Sequence, residues 1–127
     1  MKISPTNIQL HQKTRVLELT FSNNESYKMP CEYLRVHSPS AEVQGHGPGQ
    51  EVLQFGKEKV NIIAIEPIGQ YAIRLVFDDK HSSGLYTWEL LYSLASNSTK
   101  NWQEYLHRLK QAGHKRQAQK TDALLEA

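Results

Sequence analysis

The chain has 127 residues, 39% of them hydrophobic and 22% charged, with one cysteine, Cys31; this length suits one core, since domains cluster at about 100 to 150 residues. No apolar run approaches the roughly 20 residues that span a bilayer, and a lone cysteine excludes an intramolecular disulfide and an all-cysteine zinc site. The formal net charge is +2, but from residue 107 onward five basic residues face two acidic ones, while the body before it carries ten basic and eleven acidic, so the positive charge belongs to the C-terminal end and nucleic acid is not an expected partner.

Met1-Lys2-Ile3-Ser4-Pro5 lacks the apolar core of a signal peptide. Together with the single cysteine, this sets the expectation of a cytoplasmic protein with no membrane partner. The N-terminal third alternates as strands do. Ile8 and Leu10 lead into a turn at Gln12-Lys13-Thr14, after which Leu17, Leu19 and Phe21 share one face. Asn23-Asn24-Glu25-Ser26 is turn chemistry, because short polar side chains bond their own backbone. A brief strand at Tyr27-Lys28-Met29 follows. Pro30 suits a first helical position, so residues 30–36 read as a short helix with Cys31 and Leu34 inward and Pro39 beyond its end.

Residues 38–56 are poor in apolar side chains and carry four glycines, Gly45, Gly47, Gly49 and Gly56, which marks a long loop of the kind that often holds function. Val60, Ile62, Ile63, Ala64, Ile65 and Ile68 then form a β-branched run, and Ile73, Leu75 and Phe77 alternate in the next. Both are expected as central strands. Residues 78–84 connect them to a short strand at Leu85-Tyr86. Thr87 caps a helix whose apolar face is Trp88, Leu91, Tyr92 and Ala95. Asn101 and Glu104 resemble a capping box ahead of Trp102, Tyr105, Leu106 and Leu109, and Gly113 supplies a stop. The fold class expected is α+β, a mostly antiparallel sheet with a short helix after the first strands and two C-terminal helices packed on it. The domain is expected over residues 1–113, with 114–127 as a basic, disordered tail.

Tyr33-Leu34-Arg35, then Ser38-Pro39-Ser40-Ala41-Glu42-Val43 and Gly45-His46-Gly47, and later Asp79-x-His81-Ser82-Ser83-Gly84-Leu85-Tyr86-Thr87-Trp88 resemble the gamma-butyrobetaine-hydroxylase-like N-terminal domain family. The resemblance runs from Leu10 to about Leu109. Its members include small stand-alone bacterial proteins of unassigned function, N-terminal domains of carnitine-pathway oxygenases, and segments fused to P-loop iron–sulfur carrier ATPases. In those oxygenases zinc is held by three cysteines after the aromatic-Leu-Arg element and by one later histidine. The resemblance puts Ser38, Ser40 and Val43 at the cysteine positions and His81 at the histidine. Hydroxyls are poor zinc ligands and valine is none, so no cofactor is expected here.

None of the six histidines is followed two residues later by an acid, so the usual opening of a non-haem iron site is missing. No Gly-x-Ser-x-Gly occurs, and Gly45 to Gly49 lacks the Gly-Lys-Ser/Thr of a phosphate loop. The reading is a non-catalytic module that binds a protein through the 35–49 loop and the 79–88 segment, with Arg35, Ser38, Ser40, Glu42, His46, Asp79, His81 and Trp88 as candidate residues. Arg35 either reaches out to a carboxylate or phosphate or pairs with Glu32, Glu42, Asp78 or Asp79. Trp88 and Tyr86 are read as core ahead of a binding platform. The family's fused relatives make an oxygenase or an iron–sulfur carrier ATPase the partner to expect. The alternative is a metal or iron–sulfur accessory protein, binding zinc or iron through His46 and His81.

Overall fold

The computed structural model describes residues 2–126. Three strands, β1 (Pro5–His11), β2 (Val16–Phe21) and β3 (Ser26–Pro30), form one antiparallel sheet in the order β1-β2-β3. After helices α1 (Cys31–Val36) and α2 (Ala41–Gln44), strands β4 (Ile62–Ile68), β5 (Ala72–Phe77) and β6 (Leu85–Thr87) form a second one in the order β4-β5-β6. Helices α3 (Trp88–Ser96) and α4 (Ser98–Gln111) follow, and a 3₁₀ turn closes the chain at Lys120–Leu125. The α+β class holds. No helix among the described residues is long and apolar enough to cross a membrane.

Alternation decides which face each strand buries. Leu17, Leu19 and Phe21 of β2 are fully covered, as are Leu75 and nearly all of Ile73 and Phe77 on β5. These residues meet Leu91, Leu94 and Ala95 of α3 and Trp102, Tyr105 and Leu109 of α4 in one core. Burial of a large apolar side chain stabilises by about 1.5–3 kcal/mol, so the two sheets are held through this shared core. Tyr33 and Tyr86 tie α1 into it. The Tyr33 hydroxyl donates to the Leu94 carbonyl at 2.6 Å and the Tyr86 hydroxyl to that of Leu34 at 2.6 Å.

Four expectations are corrected. The strands divide between two sheets, and β4 is an edge strand: Pro67 has no N–H to give a second neighbour, and Ile63 stays 55% exposed. Pro30 ends β3 and precedes α1, with its extended ψ of 145°, so the helix begins one residue later. Asn101 lies inside α4, because α3 and α4 are separated by Asn97 alone; the Asn101 side chain donates instead to the Tyr33 hydroxyl at 3.0 Å. Gly113, at φ 79°, does stop α4, with the His114 N–H returning to the Leu109 carbonyl at 3.0 Å.

The fourth correction concerns the C-terminal segment, expected to be disordered. It is docked. Arg116 reaches Glu32 of α1 with Nε and Nη2, at 2.8 and 2.6 Å, and Asp122 with Nη1 and Nη2, at 2.9 and 2.7 Å. Its guanidinium lies 4.7 Å from the Trp102 ring. Leu125 is buried, with 1% of its surface exposed. A basic composition was misleading because one of the charges is spent on a buried carboxylate.

Candidate functional site

Helix α1 carries the first elements of the site to one end of the second sheet. Arg35, in its last turn, is 6% exposed. Its Nε donates to Asp79 Oδ2 at 2.9 Å and its Nη1 to Gln54 Oε1 at 3.2 Å. Lys57 meets the same Asp79 oxygen at 2.7 Å, and the His81 N–H donates to the other at 3.2 Å. Burial pushes the Asp79 carboxyl up, but Lys57 and Arg35 more than offset it and hold it below the usual carboxylate range. Of the two readings of Arg35, the ion pair is the one formed.

Beyond α1 the chain turns so that Ser40 caps α2, its hydroxyl accepting from the Glu42 N–H at 3.3 Å. Ser38 and Ser40 thereby face the 81–84 segment. Ser38 Oγ lies 2.8 Å from His81 Nε2, Ser40 Oγ lies 2.6 Å from Ser83 Oγ, and His81 Nδ1 lies 3.1 Å from Glu42 Oε2. The carboxylate can only accept, so Nδ1 carries the proton. In the neutral ring, Nε2 then accepts from Ser38 O–H. Ser38 Oγ in turn accepts the Ser40 N–H at 3.2 Å, and Gln44 Nε2 donates to the Ser38 carbonyl at 2.9 Å.

This carboxylate–imidazole–hydroxyl order is also that of acyl-transfer nucleophiles. Its placement here is different. Ser38 is fully buried and His81 is 4% exposed, and neither lines any of the hollows described. Gly84 seals the hydroxyl: a Cβ there would come 2.5 Å from Ser38 Oγ. The network closes the loop onto the sheet: its Ser38–His81 centre is covered, while Glu42, with 71% of its side chain exposed, and the outlying Gln44 and Ser83 meet solvent.

Ser38, Ser40 and His81 therefore converge, as three of the four positions that correspond to the relatives' zinc ligands. They do not fit zinc. Both His81 nitrogens are committed, the hydroxyls bond one another's neighbours, and Val43 is packed at 3% exposure with no donor. No group of three His, Cys, Asp or Glu side chains among the described residues is placed to hold a metal ion. His46 stands apart, exposed in the turn after α2. Trp88 is half-buried and donates its indole N–H to the Gln70 carbonyl at 2.7 Å, so its polar end serves the β4–β5 turn.

Sequence reasoning missed the partners that complete the cluster, Gln54 and Lys57 on Arg35 and Asp79, and Ser83 on Ser40. Ser83 lay within a quoted motif, but nothing in its spacing indicated a hydroxyl opposite. Burial, and next the Arg35 charge, push the His81 ring below its ordinary value, against the pull of Glu42 and Asp79. Because the folded value lies below the unfolded one of about 6.5, the stability tied to His81 is complete above that pH and is lost as pH falls through the folded value. Ring titration by NMR should place His81 below 6.5, and Glu42→Gln should move it further down. A value at or above 6.5 would contradict the geometry.

The fold and this closed polar cluster define an α+β module built on two antiparallel sheets, with the seam between loop and sheet held by hydrogen bonds. The pattern of the family described as gamma-butyrobetaine hydroxylase-like, N-terminal, matches residues 8–92, and the chain belongs to that family. It is similar to two structures solved by NMR in solution. One is 50% identical over 92% of each chain with a TM-score of 0.78; the other, also 50% identical with a TM-score of 0.78, covers 91% of this chain and 86% of its own. A crystal structure of a protein of unknown function from Acidithiobacillus ferrooxidans, assigned to the DUF971 family, is 32% identical over 72% of this chain and 92% of its own, with a TM-score of 0.61. No curated protein matches the chain.

Proposed function

We propose that the protein is a non-catalytic binding module that docks a protein partner through the 41–55 loop and the neighbouring 79–88 segment. One observation carries the reading: this loop, anchored at its base, leaves two large apolar side chains more than half exposed, although the Phe55 ring stacks on His114 with 3.9 Å between centroids. Val52 is 52% and Phe55 54% exposed, although the Val52 N–H is fixed to the Val43 carbonyl at 2.7 Å and the Gln54 carbonyl accepts from the Tyr105 hydroxyl at 2.8 Å. An anchored loop loses little entropy on binding, which favours an interface. Within the second segment Leu85, on β6, is also 42% exposed. Glu42, Glu51 and His46 supply polar groups on the loop, as at the rim of a protein interface.

Arg35, Ser38, Asp79 and His81 support that surface from beneath. The family's fused members make an oxygenase or an iron–sulfur carrier ATPase the partner we propose, met in trans in the cytoplasm. The metal-accessory alternative gains nothing from the geometry, because His81 has no free ring nitrogen and His46 stands alone. Quantitative affinity capture from the native cell tests the docking surface. Phe55→Ser and His46→Ala should each lower recovery of the same partner at least fivefold, while Lys110→Ala on α4 leaves it unchanged. Equal recovery with all three variants would end this proposal.

A further inference from the structure

A second feature of the molecule lies in the seam between the β1–β2 turn and the docked C-terminal segment. A hollow of about 410 Å³ opens there, within the size range of small-molecule sites. Lys13, Arg15 and Lys120 line it together with the hydroxyl residues Thr14 and Thr121. Pro30 and Val60, both buried, give it an apolar floor.

Two carboxylates also reach this hollow, and their partners decide its charge. Glu32 is spent on Arg116, through the paired contacts already described. Glu58 accepts the Gln117 N–H at 3.0 Å and takes part in none of the ion pairs among the described residues. None of the ion pairs among the described residues involves Lys13, Arg15 or Lys120. Three unpaired cations thus outnumber the two carboxylates, one of which shares Arg116 with Asp122, on a concave wall where low-dielectric surroundings focus the field and raise the local concentration of anions.

The backbone that carries Arg15 is held in place. Arg15 sits at φ 61°, a left-handed conformation uncommon for a side chain of its size. Its carbonyl is held by the Cys31 N–H at 2.9 Å. The opposite wall is anchored by the Arg116 contacts to Glu32 and Asp122. A neighbouring hollow of about 330 Å³ shares Thr14, Lys120 and Thr121 and adds Lys28, so the basic lining continues past the first.

We propose that this seam binds a small phosphate monoester, its phosphoryl group taken by Lys13, Arg15 and Lys120 and its organic part laid on Pro30 and Val60. An excess of positive charge on this wall suits a phosphoryl group near its second ionisation, which carries about −1.5 to −2 at neutral pH. The tetrahedral oxygens also suit several donors arriving from different directions, where a planar carboxylate takes fewer. The site is independent of the protein-docking surface proposed above.

NMR titration of isotopically labelled full-length protein at low salt tests it, with phenyl phosphate, inorganic phosphate and benzoate as probes. Phenyl phosphate should give saturable shifts confined to residues 13–15 and 117–121 and should bind more tightly than either other probe. Lys13→Ala/Lys120→Ala, which removes two exposed and unpaired side chains, should weaken it at least tenfold with an unchanged melting temperature. Lys100→Ala, on α4, should leave it as it was. Shifts that never saturate, equal weakening by Lys100→Ala, or tighter binding of benzoate would each overturn the proposal.

Discussion

Arg116→Ala should destabilise the protein by about 3–5 kcal/mol, the usual cost of leaving a buried ion pair with one partner. The side chain it removes is 10% exposed, and those of Glu32 and Asp122 are 5% and 15% exposed. Neither carboxylate has another cation among the described residues. Burial already pushes the Glu32 carboxyl above the usual range despite the two Arg116 bonds that oppose it; without them Glu32 must take up a proton or draw in water. Chemical denaturation measures the loss, and amide exchange locates it, since residues 117–125 should exchange far faster once their anchor is gone. Glu32→Met/Arg116→Met should lie nearer the wild type than Arg116→Ala, because it removes the more deeply buried carboxylate together with its cation, keeps apolar packing against Trp102, and leaves only the more exposed Asp122 without its partner. A loss below 1 kcal/mol, with the segment still protected, would show that Leu125 and the 3₁₀ turn hold it without the ion pairs.

The same contact shows where reading the sequence stops. Basic residues without apolar periodicity look disordered when each is counted as solvated, and Arg116 breaks that assumption through a bond to a residue 84 positions away. Glu32 could not reveal it either, since a glutamate in the first turn of a helix ordinarily faces water. What the sequence makes legible is local and periodic. The alternation of Leu17, Leu19 and Phe21, the helical spacing of Trp102, Tyr105 and Leu109, the Thr87 cap and the Gly113 stop all appear in the structure because each depends on its own neighbours.

The candidate site was legible only as a set of residues. Arg35, Ser38, Ser40, Glu42, Asp79 and His81 do come together, which their order in the chain suggested through the family's motifs. Whether they face outward was not readable, because exposure depends on the closing pieces. Gly84 is one, and Tyr86, fully buried beside it, is another. The surface proposed for docking consequently shifts from Arg35 and His81 themselves to the exposed side chains of the loop that they anchor.

Gly84→Ala should cost about 1–3 kcal/mol, the range for forcing an extra methyl group into a packed site. Its backbone imposes no such cost, since its φ lies outside the left-handed region; the obstacle is space. The new Cβ would lie 2.5 Å from Ser38 Oγ, 3.2 Å from Pro39 Cδ and 3.3 Å from Tyr86 Cε1. Ser38 Oγ cannot swing aside freely, because it bonds His81 Nε2 at 2.8 Å and takes the Ser40 N–H at 3.2 Å. Relief therefore requires breaking the Ser38–His81 bond or moving the base of the loop. Ser38→Ala alone should also destabilise, by leaving a buried imidazole nitrogen and the Ser40 N–H unsatisfied. Combined with Gly84→Ala it removes the clashing atom, so the double variant should be more stable than the sum of the two single losses, by at least 0.5 kcal/mol of coupling. Thermal and urea unfolding of the four proteins gives that coupling, and the His81 ring should titrate nearer 6.5 in Gly84→Ala as the loop lifts and water reaches it. Strictly additive losses, with His81 unmoved, would mean that the hydroxyl and the glycine act separately and that the loop is anchored elsewhere.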